Sequence, residues 1–146
     1  MEIILKQIKS NFVDFVKEKK IKTKYSNSHN MQILSLIPII KDRKKTIIID
    51  FIYLVNEEGL DVRINYIEKN ETKQQTSTTY SFSQTTKNIE IPFFDSETTK
   101  HISDSFKYEI VNDSIKSIIP VSEQAEIFVK IVKDNYNNII THLIKF

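Results

Sequence analysis

A chain of 146 residues, 40% hydrophobic and 27% charged, fits one soluble domain that can build its own core. It has no cysteine and a single glycine, Gly59. This excludes disulfides, thiolate metal sets and cysteine nucleophiles, as well as the glycine-rich loops of P-loop, dinucleotide and nucleophile-elbow folds. The net charge of +2 is unevenly spread: 13 basic and 9 acidic side chains in residues 1–70 give +4, and 8 basic and 10 acidic in residues 71–146 give −2.

The opening MEIILKQIKS carries Glu2 and only three consecutive apolar residues, so it does not read as a signal peptide, and a cytoplasmic protein is expected. Glu2 to Lys20 predicts an amphipathic helix. Leu5, Ile8, Phe12, Phe15 and Val16 recur at three- and four-residue steps, with Ile4 and Val13 at the margins. Lys17, Lys19 and Lys20 fall in its last turn, where cations suit the helix dipole. Ile21–Asn30 predicts a loop with room for a short strand at Ile21–Tyr25. Met31–Ile40 predicts a strand in which Pro38 marks an edge or a bulge.

Thr46–Val55, TIIIDFIYLV, is the strand around which the chain is organised. It is too short for a membrane span, rich in β-branched residues, and expected to be covered on both faces. Asn56–Gly59 predicts a hairpin loop with glycine in αL. The return strand, Leu60–Lys69, alternates Leu60, Val62, Ile64 and Tyr66 against Asp61, Arg63 and Asn65. Pairing Val55 with Leu60 would set Asn65 opposite Asp50 and Arg63 diagonal to it. Asp50 then reads either as a tuned carboxylate or, the simpler account, as half of an ion pair with Arg63.

Asn70–Lys87 is a Thr-, Ser- and Gln-rich tract that predicts a polar strand at Thr76–Ser83. Residues 87–94, KNIEIPFF, alternate like an edge strand, Asp95–Asp104 reads as a loop, and Ser105–Val111 and Ser114–Val121 read as short strands. Ser122 is the expected N-cap of a last helix running to the chain end. Ala125, Phe128, Val129, Val132, Tyr136, Ile139, Ile140 and Leu143 form its stripe, with Ile127 and Ile131 off it, either covered by a second layer or exposed and available to a partner. The whole predicts an α+β domain over residues 1–146: an antiparallel meander of five to seven strands with an N-terminal helix and a long C-terminal helix packed on it.

Chemistry finds little footing in these residues. His29, His101 and His142 lack the spacing of a zinc protease. His101 with Asp104, and Asp95 with Glu97, form a polar cluster that offers a cation or acid–base site, though solvated surface is the plainer account. Lys17, Lys19, Lys20, Lys22 and Lys24 before Tyr25, and Lys41, Arg43, Lys44 and Lys45, form two basic runs. Placed at one end of the sheet they suit phosphates, yet a net +2 disfavours nucleic acid as the partner. The lysine share (19 of 21 basic residues) goes with 26 isoleucines and 11 asparagines, as AT-rich coding would produce.

No catalytic residue, metal ligand or cofactor is assigned. The reading is a non-enzymatic protein-interaction module: a small inhibitor, immunity-type protein, adaptor or chaperone. It would bind another protein, or a second copy of itself, through a sheet edge or a helix face, at a surface made of Thr76, Thr78, Tyr80, Phe82, Ile127 and Ile131. The alternative is a small apolar-ligand-binding domain with a pocket between a curved sheet and the C-terminal helix, where Tyr53, Tyr66, Tyr80 and Tyr108 supply polar contacts.

Overall fold

The computed structural model describes residues 2–41, 44–56, 59–69, 75–83, 94–105, 108–111, 114–117 and 119–144, with backbone alone at 69, 75–83, 102–103, 108–111 and 114–117. Two N-terminal helices, α1 (Ile3–Asn11) and α2 (Val13–Lys19), lead into an antiparallel meander. Its strands are β1 (Ile21–Ser28), β2 (Met31–Pro38), β3 (Lys45–Leu54), β4 (Gly59–Lys69) and β5 (Gln75–Ser83), paired in chain order. Helix α3 (Ser96–Ser105), the hairpin β6 (Tyr108–Val111) and β7 (Ser114–Ser117), and the long helix α4 (Val121–Ile144) follow. This is the α+β arrangement that the patterning predicts: an antiparallel sheet with helices from both ends of the chain.

The core lies between one face of the sheet and the helices. Leu34, Leu36, Ile47, Ile49, Phe51, Val62 and Ile64 line the sheet side, and Leu5, Ile8, Phe12, Phe128, Val132 and Ile139 come from α1, the α1–α2 junction and α4. All are at most 1% exposed. Phe12 sits at the joint, its ring 5.5 Å from Phe51 and 5.8 Å from Phe15, which meets Tyr136 edge-on at 5.0 Å. The α4 stripe is buried as its spacing predicts, with Ile140 half-buried. Asn135, Asn137 and Asn138 do not break the helix, and Asn135 Nδ2 donates to the Ile131 carbonyl at 2.8 Å.

Several expectations are corrected. The N-terminal helix is two helices, because Phe12 leaves helical geometry (φ −102°, ψ 0°). The Lys133 ammonium caps the freed Asn11 carbonyl at 2.5 Å and lies 5.4 Å from the Phe12 ring centroid, so a cation satisfies the helix end and stacks on the ring. Ile21–Asn30 is not a loop: pairing with β2 from Ile21↔Pro38 to Ser28↔Met31 makes a full strand of it. Lys20 (φ 56°) supplies the reversal before it. Pro38 lies on a strand flanked on both sides. It falls past the last β2–β3 pair, Leu36↔Ile49, so its missing N–H interrupts no ladder there.

The hairpin register is Tyr53↔Leu60 and Leu54↔Gly59, shifted by two residues from the expected Val55↔Leu60, with a connection of the same length one position earlier. Gly59 is therefore in the strand rather than in αL. On β3, Ile47, Ile49 and Phe51 are fully buried, while the opposite row is only half covered at Ile48 and Asp50, with Ile52 buried. The last helix starts at Val121 rather than after Ser122: Gln124 N–H donates to the Pro120 carbonyl at 3.0 Å, which places Pro120 at the cap. The tract at Thr76–Ser83 is strand β5, but the strand expected at residues 87–94 lies outside the described residues except for the buried Phe94. Ser105 ends α3 instead of opening a strand, and β7 stops at Ser117.

Candidate functional site

Residues Asp95–Asp104, expected as a loop, fold instead as the helix that builds a site. Asp95 stands before α3 and its Oδ1 accepts from Thr98 N–H at 2.6 Å, while its carbonyl accepts from Thr99 N–H at 3.0 Å. This is an N-cap satisfying orphan helix donors. The Thr98 bonds hold the Asp95 carboxyl below its ordinary range. A carboxylate that had read as a candidate acid or cation ligand is thus the reason the helix starts.

Once helical, α3 sets Glu97, Lys100, His101 and Asp104 along one side by their three- and four-residue spacing. They face Ile127, Lys130, Ile131, Asp134 and Asn135 of α4 across a groove of about 800 Å³, which Thr98 and Ser105 complete. Ile127 and Ile131 are the two isoleucines outside the α4 core stripe. Ile131 is buried at 8% exposure within the core cluster and Ile127 is half-buried against it, so both are largely covered rather than exposed, and the groove reaches them as an apolar floor between charged walls. Volume and lining fall within the range of binding clefts. The spacing of Glu97, His101 and Asp104, and the Asp95 cap three residues before Thr98, were the signals for this helix. Polar composition masked them.

The other predicted residues are dispersed. His29 is in the β1–β2 turn, His101 on α3 and His142 on α4. No three histidine or acidic side chains among the described residues are placed to hold a metal ion. Tyr66 is buried with its hydroxyl donating to Glu68 Oε2 at 2.8 Å, and Tyr53 is half-buried against the core. The side chains of Tyr80 and Tyr108 lie outside the described residues. Thr76, Thr78, Tyr80 and Phe82 occupy the β5 register opposite Glu68, Tyr66, Ile64 and Val62. They belong to the row whose β4 members Tyr66, Ile64 and Val62 are buried beneath the helices. Ser77, Thr79 and Ser81 hold the alternate register positions. Among the described residues, the groove that holds Ile127 and Ile131 is lined by α3 and α4.

Asp50 lies on the outer row of β3. Burial pushes its carboxyl above the usual carboxylate range, while Ser35 Oγ (2.5 Å), the nearby Arg63 charge and Asn65 Nδ2 (3.0 Å) draw it back. The shifted register puts Arg63 opposite Asp50 and leaves Asn65 diagonal, the reverse of the expected arrangement. Both hydrogen bonds reach Asp50 from neighbouring strands, so its role is to tie β2, β3 and β4 together.

Among the described residues, members of the two basic runs come to one end of the sheet. Ile39 N–H donates to the Lys20 carbonyl at 3.1 Å, and Lys22 and Lys45 line a notch of about 260 Å³ with Pro38, Ile39, Ile40 and Thr46. Among the described residues no helix is long and apolar enough to cross a membrane. Comparisons with protein-family models, with curated proteins and with solved structures return no match.

Proposed function

We propose that the chain is a protein-interaction module without chemistry of its own, an inhibitor, immunity-type protein, adaptor or chaperone of the cytoplasm. The α3–α4 groove is its receiving surface. One observation carries the reading: Ile127 and Ile131, off the core stripe of α4, floor an open cleft whose walls bear Glu97, Lys100, His101, Asp104, Lys130 and Asp134. Two helices with an apolar floor and charged rims suit an amphipathic helix from a partner protein, apolar ridge downward and polar flanks against the rims. Centrally placed apolar contacts would supply most of the affinity.

The experiment compares the wild-type chain with Ile127→Asp and Lys130→Glu in capture from native lysate, followed by crosslinking to locate the contact. The expected result is a partner crosslinked to α3 and α4 that Ile127→Asp loses, and that Lys130→Glu, on the exposed rim of the same groove, weakens while its circular dichroism and urea midpoint hold. A partner retained equally by the variants, or a monomer that retains nothing, overturns the reading. A small apolar ligand in the layer between sheet and α4 takes second place, since Phe51, Phe128 and Ile139 fill that layer at 0% exposure. Native mass spectrometry of the purified protein tests it.

A further inference from the structure

Between Glu18 and Asp42 the chain carries no acidic residue, and the meander folds this stretch into two neighbouring strands. The outer row of β1 is Lys22, Lys24, Ser26 and Ser28, all exposed. Lys20 at its start and Lys41 past the end of β2 are exposed as well. The Ile39–Lys20 backbone bond holds the two segments together. Lys45 is excluded from this set, because its ammonium donates to the Ile144 carbonyl at 2.6 Å and so closes the end of α4. The nearest acid in register is Asp50, opposite Ser35 on the next strand over, and it is already bound by Ser35 and Asn65.

We infer that this strip binds the phosphate backbone of a nucleic acid, independently of the groove on α4. Ammonium and small hydroxyl donors in a row are the side chains that hold phosphates in register without reading bases. β1 extends roughly 26 Å at about 3.3 Å per residue, which spans several phosphates of either a single strand or a duplex. A bilayer surface is the poorer match, because binding there needs a broad apolar area beside the charge: Ile39, 60% exposed, stands beside Lys20 at one end of the strip, while Ser26, Asn27 and Ser28 at the other end are polar. An acidic protein presents carboxylates to the same ammoniums, and the polyglutamate arm of the test separates it from a nucleic acid.

The test is fluorescence anisotropy of the full chain with labelled oligonucleotides of about 30 bases, single-stranded in one arm and duplex in the other, at about 50 and 200 mM salt. About four neutralised phosphates on a single strand predict a slope near −3 in log K against log salt, hence roughly a 50-fold loss between those salts. The Lys22→Glu/Lys24→Glu pair is expected to bind at least about tenfold more weakly, with a slope shallower by roughly 1.4. Both side chains are exposed, so circular dichroism should not change. Lys6→Glu serves as the matched control. It lies on α1, whose preceding Glu2 N–H bonds Gln32 near the far end of β2, and it should leave binding as it was. Absence of binding at low salt, a salt-independent signal, or an equal loss in Lys6→Glu overturns the inference. Equal affinity for phosphatidylserine vesicles or polyglutamate overturns the assignment to nucleic acid.

Discussion

Asp50 shows how one residue type takes its role from its neighbours. Burial raises its carboxyl, against the Ser35 bond, the Arg63 charge and the Asn65 bond. Over the interval between the ordinary carboxylate value and the raised one, the folded chain therefore holds a proton that the unfolded chain has released. Stability from this group is complete below that interval and is lost as pH rises through it. Asp50→Asn removes the titration while leaving an acceptor for Ser35. Its urea midpoint is expected to gain on the wild type as pH rises from the ordinary carboxylate range through the raised value of Asp50, and parallel midpoints would count against the account. Tyr136 behaves similarly at the alkaline end, where burial pushes its phenol up to about 12. The unfolded chain then releases its proton first, and stability is lost as pH climbs past the ordinary tyrosine value.

At the scale of elements, α3 depends on its cap. Within Ser96–Ser105 there are three serines, three threonine or aspartate residues and no alanine or leucine, a composition with weak intrinsic helix preference. The bonds from Thr98 and Thr99 to Asp95 begin the helix, since the first turn is the costly one to form. Asp95→Ala is expected to speed amide exchange throughout α3 while α1 and α4 keep their protection. The wild type should reproduce that loss at low pH, because the carboxyl is held below its ordinary range and its stabilisation disappears as pH falls through the folded value. Equal protection of α3 in the variant would mean that packing against α4 sustains it. The break between α1 and α2 has the opposite origin. The periodicity runs through Phe12, but the Phe12 ring packs against Phe51 and Phe15, and Lys133 satisfies the interrupted end.

For the whole molecule, the main apolar layer among the described residues lies between the sheet and α1 with α4. Phe128 is at its centre with 0% exposure. Phe128→Ala is expected to cost about 3–5 kcal/mol, read from urea unfolding with an unchanged m-value. A loss under about 1 kcal/mol would mean that the layer can collapse around the gap. The buried Gln124 joins helix to sheet within this layer: Oε1 accepts from Leu60 N–H at 3.3 Å and Nε2 donates to the Ile119 carbonyl at 3.0 Å. On this scaffold the acid-free stretch from Lys19 to Lys41 and the α3–α4 groove are separate surfaces of different character. The first is cationic and extended, the second concave with charges of both signs.

The amino-acid order alone determined the elements whose periodicity is apolar: the α4 stripe, the central strand and its alternating return strand, and the α+β class that follows from them. Burial acts on every residue of such a pattern, so the signal accumulates along the element. It also determined what is missing, because a chain with one glycine and no cysteine cannot build the excluded sites. Tertiary structure decided the rest. β1 is a strand because β2 pairs with it, since IKTKYSNS has little apolar alternation of its own. The hairpin register, and with it the neighbours of Asp50, was set by pairing on both sides of β3. The groove exists only where α3 meets the off-stripe isoleucines of α4. Contacts between segments distant in the chain leave no period in either segment, and only the folded arrangement brings them together.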